Sequence, residues 1–305
     1  MQRKANRKFY QVAPMVNIDR HSNQYYTYYS KQEIKFGSLA QVEFRGRLIW
    51  GLVLQRKLKP NKTKKYKKII KIMEEPVLDK KHLDLYQMIT DYYLISLTKL
   101  LQVVLPQGVN RFQKIDNFKK TIKPGVGFRI KQQEKAIAEK IIGFFKNNKQ
   151  PVIVQKTERL KILTYLIFKV IKQKKQVLVL CSDDLNLNLK KYHWEKIFGS
   201  RNIFTPGLVK QNKNQYLQDW LLMKNVAKKI IIAKKTAVFA DFRNLGLIII
   251  DEAHEDSFKQ DKKHPRYDTR IIADKFARFY QIPIVYSTNS PRVDFYWQIG
   301  EQKVF

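Results

Sequence analysis

From Phe128 onward, short uninterrupted apolar runs alternate with longer stretches of helical periodicity, and this alternation limits the fold more than any other feature of the chain. Residues 133–145 read as an amphipathic helix, 151–155 as a short strand, 160–171 as an apolar helix and 176–181 as a strand. Ile230-Ile231-Ile232, 247–250 and 282–286 are further runs of strand length. A strand apolar on both sides must be covered on both sides, and parallel sheets obtain that cover from their crossover helices. An α/β domain with a doubly wound parallel sheet is therefore expected over residues 128–305.

The first third follows a different pattern. Residues 9–73 read as β structure. Residues 25–29 are an aromatic strand, Gln41-Val42-Glu43-Phe44 alternates, and 48–54 is a second apolar run. Arg45-Gly46-Arg47 between them is a hairpin turn, with Gly supplying the unusual dihedral. A small barrel or a sheet of several strands is expected. Residues 56–68 hold eight Lys/Arg in thirteen positions, with Pro60 and Asn61 among them. So dense a run repels itself and stays solvated unless an anion lies against it, so it reads as a loop between strands, with 69–72 resuming the sheet. Residues 82–105 read as one helix, with Leu85, Ile89, Tyr93, Leu97 and Leu101 four apart. Ser96 interrupts the neighbouring row and Pro106 stops the helix. Polar and basic composition with Pro124-Gly125 marks a linker. The expected organisation is a β-rich domain with a helical end at 1–110, a basic linker at 111–127 and the α/β domain at 128–305.

Lys plus Arg number 60 against 26 Asp plus Glu, a net charge of +34. Such a charge drives a protein onto a polyanion by counterion release, although Lys is spread through almost every segment and a generally Lys-rich composition explains part of the excess. No segment reaches the ~18 apolar residues of a membrane span. Met1 is followed by polar residues without an apolar core of a signal peptide, so the cytoplasm is expected. Cys181 is the only cysteine, which excludes an internal disulfide and a cysteine-cluster zinc site. It ends an apolar run and reads as a buried strand residue. His21, His82, His193 and His264 show no metal-ligand spacing.

The most specific signal is Leu247-Ile248-Ile249-Ile250-Asp251-Glu252-Ala253-His254. An apolar strand ending in adjacent carboxylates places them at the carboxyl edge of a parallel sheet, where ligands bind. In P-loop enzymes an Asp there holds Mg²⁺, and the next acid can polarise the attacking water. DEAH is a hallmark of superfamily 2 helicases. With the segments around it, Thr236 to Gly246, Asp256-Ser257-Phe258-Lys259-Gln260, Arg266-Tyr267 and Ser290-Pro291, the chain resembles the primosomal protein N′ family of bacterial replication-restart helicases. Lys35-Phe36-Gly37-Ser38, Val42, Phe44, Gly46 and Gly51 resemble that family's 3′-DNA-end-binding domain, and the stretch from Asp91-Tyr92-Tyr93 to Leu105-Pro106 resembles its helical end.

The resemblance implies a β-rich 3′-DNA-end-binding domain followed by one RecA-like helicase lobe. It implies Asp251, Glu252 and His254 as catalytic positions, with Asp251 on Mg²⁺, and Lys161 as the ATP-binding lysine. Tyr25, Gly37 and Lys67, with Lys64 and Lys65 beside them, become the DNA-binding positions. DNA with a 3′ end, forked or single-stranded, is the implied partner, together with other primosome proteins and no membrane; ATP and Mg²⁺ are the implied cofactors. The phosphate loop departs from the family pattern. Counting back from Tyr165-Leu166 it reads Gln155 to Ile162, with Gln155, Glu158 and Leu160 where glycines should wrap the phosphates and Ile162 where a hydroxyl should meet Mg²⁺; a second register, with Lys156-Thr157 as the Lys-Thr pair, also lacks the glycines. A winged-helix domain, a second helicase lobe and a zinc module of the family find no counterpart in this sequence. Two readings stand: a DNA-binding module of replication restart without helicase activity of its own, or an ATPase lobe completed by a second chain. On the first, Asp251 and Glu252 are expected to persist as polar groups paired with lysines such as Lys259, and Glu252→Gln is expected to alter stability little.

Overall fold

The computed structural model describes residues 7–22, 24–57, 61, 63–73, 75–106, 129–147, 151–155, 158–207, 213–224, 229–262 and 264–300. They fall into two units, Met1–Lys114 with Gln211–Leu221, and Ile115–Lys210 with Leu222–Phe305. The linker expected at 111–127 lies outside the described residues.

The first unit is built on β1 (Lys8–Pro14), β2 (Tyr26–Ser30), β3 (Leu39–Phe44), β4 (Arg47–Lys57), β5 (Lys67–Lys68) and β6 (Lys71–Ile72), in the order β5-β2-β1-β4-β3-β6. β5 and β6 adjoin in sequence yet stand at opposite ends of that order. Lys67 pairs with Tyr28 on β2, and Lys71 with Gln41 on β3. Between them the Ile69 N–H donates to Tyr29 O at 2.8 Å and the Ile70 N–H to Gln41 O at 2.9 Å. One short segment thus joins both edges and curls the sheet into a barrel. Tyr10, Val12, Tyr28, Ala40, Val42, Val53 and Ile69 fill its interior. The expected hairpin is present: Arg45 (φ 48°) and Gly46 (φ 77°) occupy its two turn positions, the left-handed pair that a two-residue hairpin uses.

The single helix expected over 82–105 is two helices, α1 (Lys80–Tyr93) and α2 (Leu97–Val104). Leu94 closes α1 in the left-handed conformation (φ 52°, ψ 41°). Ser96, which interrupts the apolar row, caps α2 by accepting from the Lys99 N–H at 3.2 Å. A serine oxygen serves a helix start better than a helix interior. A later helical segment completes this unit: Tyr216 OH donates to Val104 O at 2.9 Å, and Trp220 Nε1 to Val77 O at 3.0 Å.

The second unit carries, in chain order, α3 (Gln132–Asn147), β7 (Val152–Val154), α4 (Arg159–Lys172), β8 (Gln176–Leu180), α5 (Asp184–Phe198), β9 (Ile203–Phe204), the C-terminal part of α6 (Lys213–Lys224), β10 (Ile230–Ala233), β11 (Leu245–Asp251), β12 (Lys259–Gln260), β13 (Tyr267–Asp268), α7 (Thr269–Tyr280), β14 (Ile284–Ser287) and α8 (Val293–Gly300). The large sheet has the order β7-β14-β11-β8-β10-β9, with every pairing parallel. Every residue of β8, β10, β11 and β14 is buried, as an apolar strand covered on both faces must be. Val177, Val179, Ile249 and Val285 form one cluster with Ala138, Ile141, Ile162, Leu163, Leu187 and Trp194 of α3, α4 and α5. Alternation sends Leu178, Ile248 and Ile250 to the opposite face, and Cys181 is buried just beyond β8, where burial pushes its thiol well above the ordinary range.

Candidate nucleic-acid interface and the carboxylate edge

The basic segment meets the barrel where the barrel closes. Lys64 and Lys65 are exposed, in a turn held by Asn61, whose side-chain carbonyl accepts from Thr63 N at 3.0 Å and whose own N–H donates to Tyr66 OH at 2.9 Å. Lys67 leads into β5, with its ammonium 2.6 Å from Glu43 Oε1. Both partners are about half exposed, and such pairs contribute roughly 0–1 kcal/mol, so a phosphate can take the lysine over. Next door, Tyr28 OH donates to Glu43 O at 3.1 Å; burial first, then Tyr26 and Glu43, pushes its pKa to about 12.

The tyrosines divide as strand alternation requires. Tyr28 is buried, and Tyr26 packs against the barrel core, edge-on to Phe44 with ring centroids 4.8 Å apart. Tyr29 stays half-buried, with Phe9 and the Arg7 guanidinium over it. Tyr25, just before β2, is half-buried, which raises its hydroxyl pKa. Gly37 serves the fold: its N–H donates to Val53 O at 2.8 Å, its carbonyl accepts from Val77 at 2.9 Å, and it has φ 77°. A Cβ there would lie 1.9 Å from Leu78 O. A side chain at position 37 would therefore strain the barrel's own backbone.

In the second unit, β11 delivers Asp251 and Glu252 to the carboxyl edge of the sheet, as the motif predicts. The Asp251 side chain is fully buried, and Ser287 Oγ donates to its Oδ1 at 3.0 Å. Its Oδ2 lies 2.9 Å from the Lys190 ammonium of α5, an ion pair without an aligned hydrogen bond. Glu252 adopts φ 53°, uncommon for a residue with a Cβ, and turns back to meet the Arg159 guanidinium at the start of α4. Arg159 also donates to the side chain of Asn289, and Gln155 to Asn289 O at 3.4 Å. Lys259 is not the partner of either acid; it stands 3.2 Å from Asp256. His254 Nδ1 lies 2.9 Å from Thr288 Oγ1 and 3.7 Å from Glu252. Lys161 is held by Glu158 at 2.6 Å and Glu134 at 3.6 Å, and these acids raise its pKa, Glu158 foremost.

As paired here, the described residues form no ready cradle for the phosphates of a nucleotide. Around the edge the described residues bring Arg159, Lys161 and Lys190 against Glu134, Glu158, Asp251 and Glu252, so carboxylates outnumber cations before any phosphate arrives. The buried atoms left without a hydrogen bond, Arg159 Nε, Glu134 Oε2 and Asp251 Oδ2, carry opposite charges and form no cradle of one sign. Among the described residues no group of three or more His, Cys, Asp or Glu is placed to hold a metal ion. Arg159, Lys190 and Asn289 went unnoticed in the sequence. Only Arg159 left a sign there, as a bulky cation inside a loop that should be rich in glycine.

The chain thus carries a small barrel with a basic segment and a parallel-sheet lobe in which β11 runs directly into Asp251-Glu252-Ala253-His254. Residues 15–106 match the family described as 3'DNA-binding domain (3'BD) of PriA. The replication restart protein PriA of Rickettsia conorii is 27% identical over 277 residues, 86% of this chain and 40% of that protein. That of Bacillus subtilis is 36% identical over 78 residues, 26% of this chain and 10% of that protein. A crystal structure of the Pyrococcus furiosus Hef helicase domain aligns with a TM-score of 0.40 and 15% identity, over 53% of this chain and 33% of that one. Over most of its length, then, the chain resembles the N-terminal half of replication restart protein PriA. It spans about two fifths of the length of the full-length relatives it matches.

Proposed function

We propose that the chain is a DNA-binding protein of replication restart in the cytoplasm, that its barrel receives a 3′ end at a forked or single-stranded site, and that it has no helicase activity of its own. The carrying observation is the match of residues 15–106 to a 3'DNA-binding domain, in a unit whose barrel is closed by the basic segment holding Lys64, Lys65 and Lys67. Positive charge at Lys64, Lys65 and Lys67, with Lys67 paired to Tyr28 three residues after the half-buried Tyr25, suits a phosphate backbone with a base stacked at its end. The proposed organisation is residues 1–110 for DNA binding, 111–127 as a linker and 128–305 as the lobe, except that Gln211–Leu221 belongs with the first unit. Other primosome proteins are its proposed partners. An ATPase lobe completed by a second chain finds less support, because Asp251 and Glu252 are already engaged by Lys190 and Arg159.

The test is fluorescence anisotropy with forks that carry a 3′-hydroxyl end or the same end blocked by a phosphate. The open end should bind more tightly, and Lys67→Ala should weaken binding several-fold without changing the unfolding midpoint. Equal affinity for both forks, together with parental binding by Lys67→Ala, would overturn the assignment.

A further inference from the structure

The carboxylate edge is crowded with the chain's own cations, and they join four elements. Arg159 opens α4, Glu252 follows β11, Asn289 lies just beyond β14, and Lys190 reaches Asp251 from the middle of α5. Both acidic partners sit in poor solvent: the Asp251 side chain has no exposure and that of Glu252 17%. A carboxylate in such a place leaves a poorly solvated charge uncompensated unless a cation pairs with it.

We infer that Arg159 and Lys190 are built-in replacements for the ligand charge that this sheet edge would otherwise receive, so that the lobe is a scaffold locked by its own ion pairs and independent of nucleotide. Geometry supports substitution rather than coexistence. A metal ion on Asp251 would have to expel the Lys190 ammonium from a contact of 2.9 Å. A phosphate above Glu252 would have to win the Arg159 guanidinium from both Glu252 and Asn289. Lys161 sits in a half-exposed pair with Glu158 and 3.6 Å from Glu134, a contact for which a phosphate could still compete, so Lys161→Ala serves as the control for nucleotide binding. The left-handed turn at Glu252 aims that carboxylate at Arg159. The expectation that Glu252→Gln changes little is therefore reversed: a neutral amide leaves Arg159 nearly buried without its counter-charge, and breaking one side of such a pair costs more than removing both.

This lock lies in the second unit and stands apart from the barrel's DNA reading, so either can fail alone. The experiment follows thermal unfolding of the full chain by circular dichroism, with ATP and MgCl₂ at millimolar concentration as the probe. The parent's midpoint should not move when Mg-ATP is added, a measurement that needs no variant. Glu252→Gln and Arg159→Met should each lower the midpoint by several degrees, and the double variant should lower it by less than the sum, because each single change strands a charge that the double one removes. Forked-DNA affinity should stay parental throughout. A rise of the parental midpoint with Mg-ATP that vanishes in Lys161→Ala would overturn the inference, as would a Glu252→Gln protein that melts with the parent.

Discussion

At the scale of single residues, Gly37 shows how a position matched to a binding domain can be there for the backbone. Its φ of 77° and the Leu78 carbonyl 1.9 Å from any added Cβ leave room for hydrogen only. Gly37→Ala and Gly37→Val should both lower the urea midpoint of the barrel, by an amount equivalent to about 1–3 kcal/mol for the backbone conformation plus the cost of the clash. Any loss of DNA binding should track that loss of fold. Parental stability in Gly37→Val would show that the Leu78 carbonyl can move aside. Sequence alone names such a glycine but not its neighbour, because Leu78 stands 41 positions further on and its approach is a product of folding. Arg159 and Lys190 were hidden for the same reason: a side chain's counter-charge is a tertiary fact. Asp251 and Glu252 were legible because an apolar strand fixes where its last residues emerge.

At the scale of elements, periodicity located five of the six strands of the parallel sheet, missed the two-residue β9, and misjudged one helix. The apolar rows of α1 and α2 continue across residues 94–96 nearly in register, so the stripe does not reveal the break. The cue was Ser96, a residue that prefers to start a helix. Ser96→Ala should cost about 1 kcal/mol, read as a lower midpoint in chemical denaturation with an unchanged slope. Ser96→Asp, which keeps a capping oxygen, should restore most of it. If Ser96→Ala is neutral, the cap carries no stability and the bend at Leu94 is set by packing alone. β6 falls within the expected strand at 69–72, whereas β5, two residues inside the expected loop at 56–68, was missed; which strands the two pair with is a tertiary fact, so barrel and open sheet stayed alternatives.

At the scale of the molecule, the net charge of +34 predicts how binding responds to salt. Each phosphate contact adds about 0.9 to the slope of log affinity against log salt on duplex DNA and about 0.7 on single strands. With Lys64, Lys65 and Lys67 engaged, the slope on forks should be about −3 or steeper. Replacing all three by alanine should make it shallower by roughly 2. A flat plot would remove the electrostatic basis of the interface. The closed barrel carries a further consequence for a protein drawn by its charge into dense arrays on nucleic acid. Crowded neighbours tempt exposed strand borders to zip together. By pairing residues 67–72 with both β2 and β3, this barrel hides its borders from them, so copies gathered side by side on one strand can remain separate molecules.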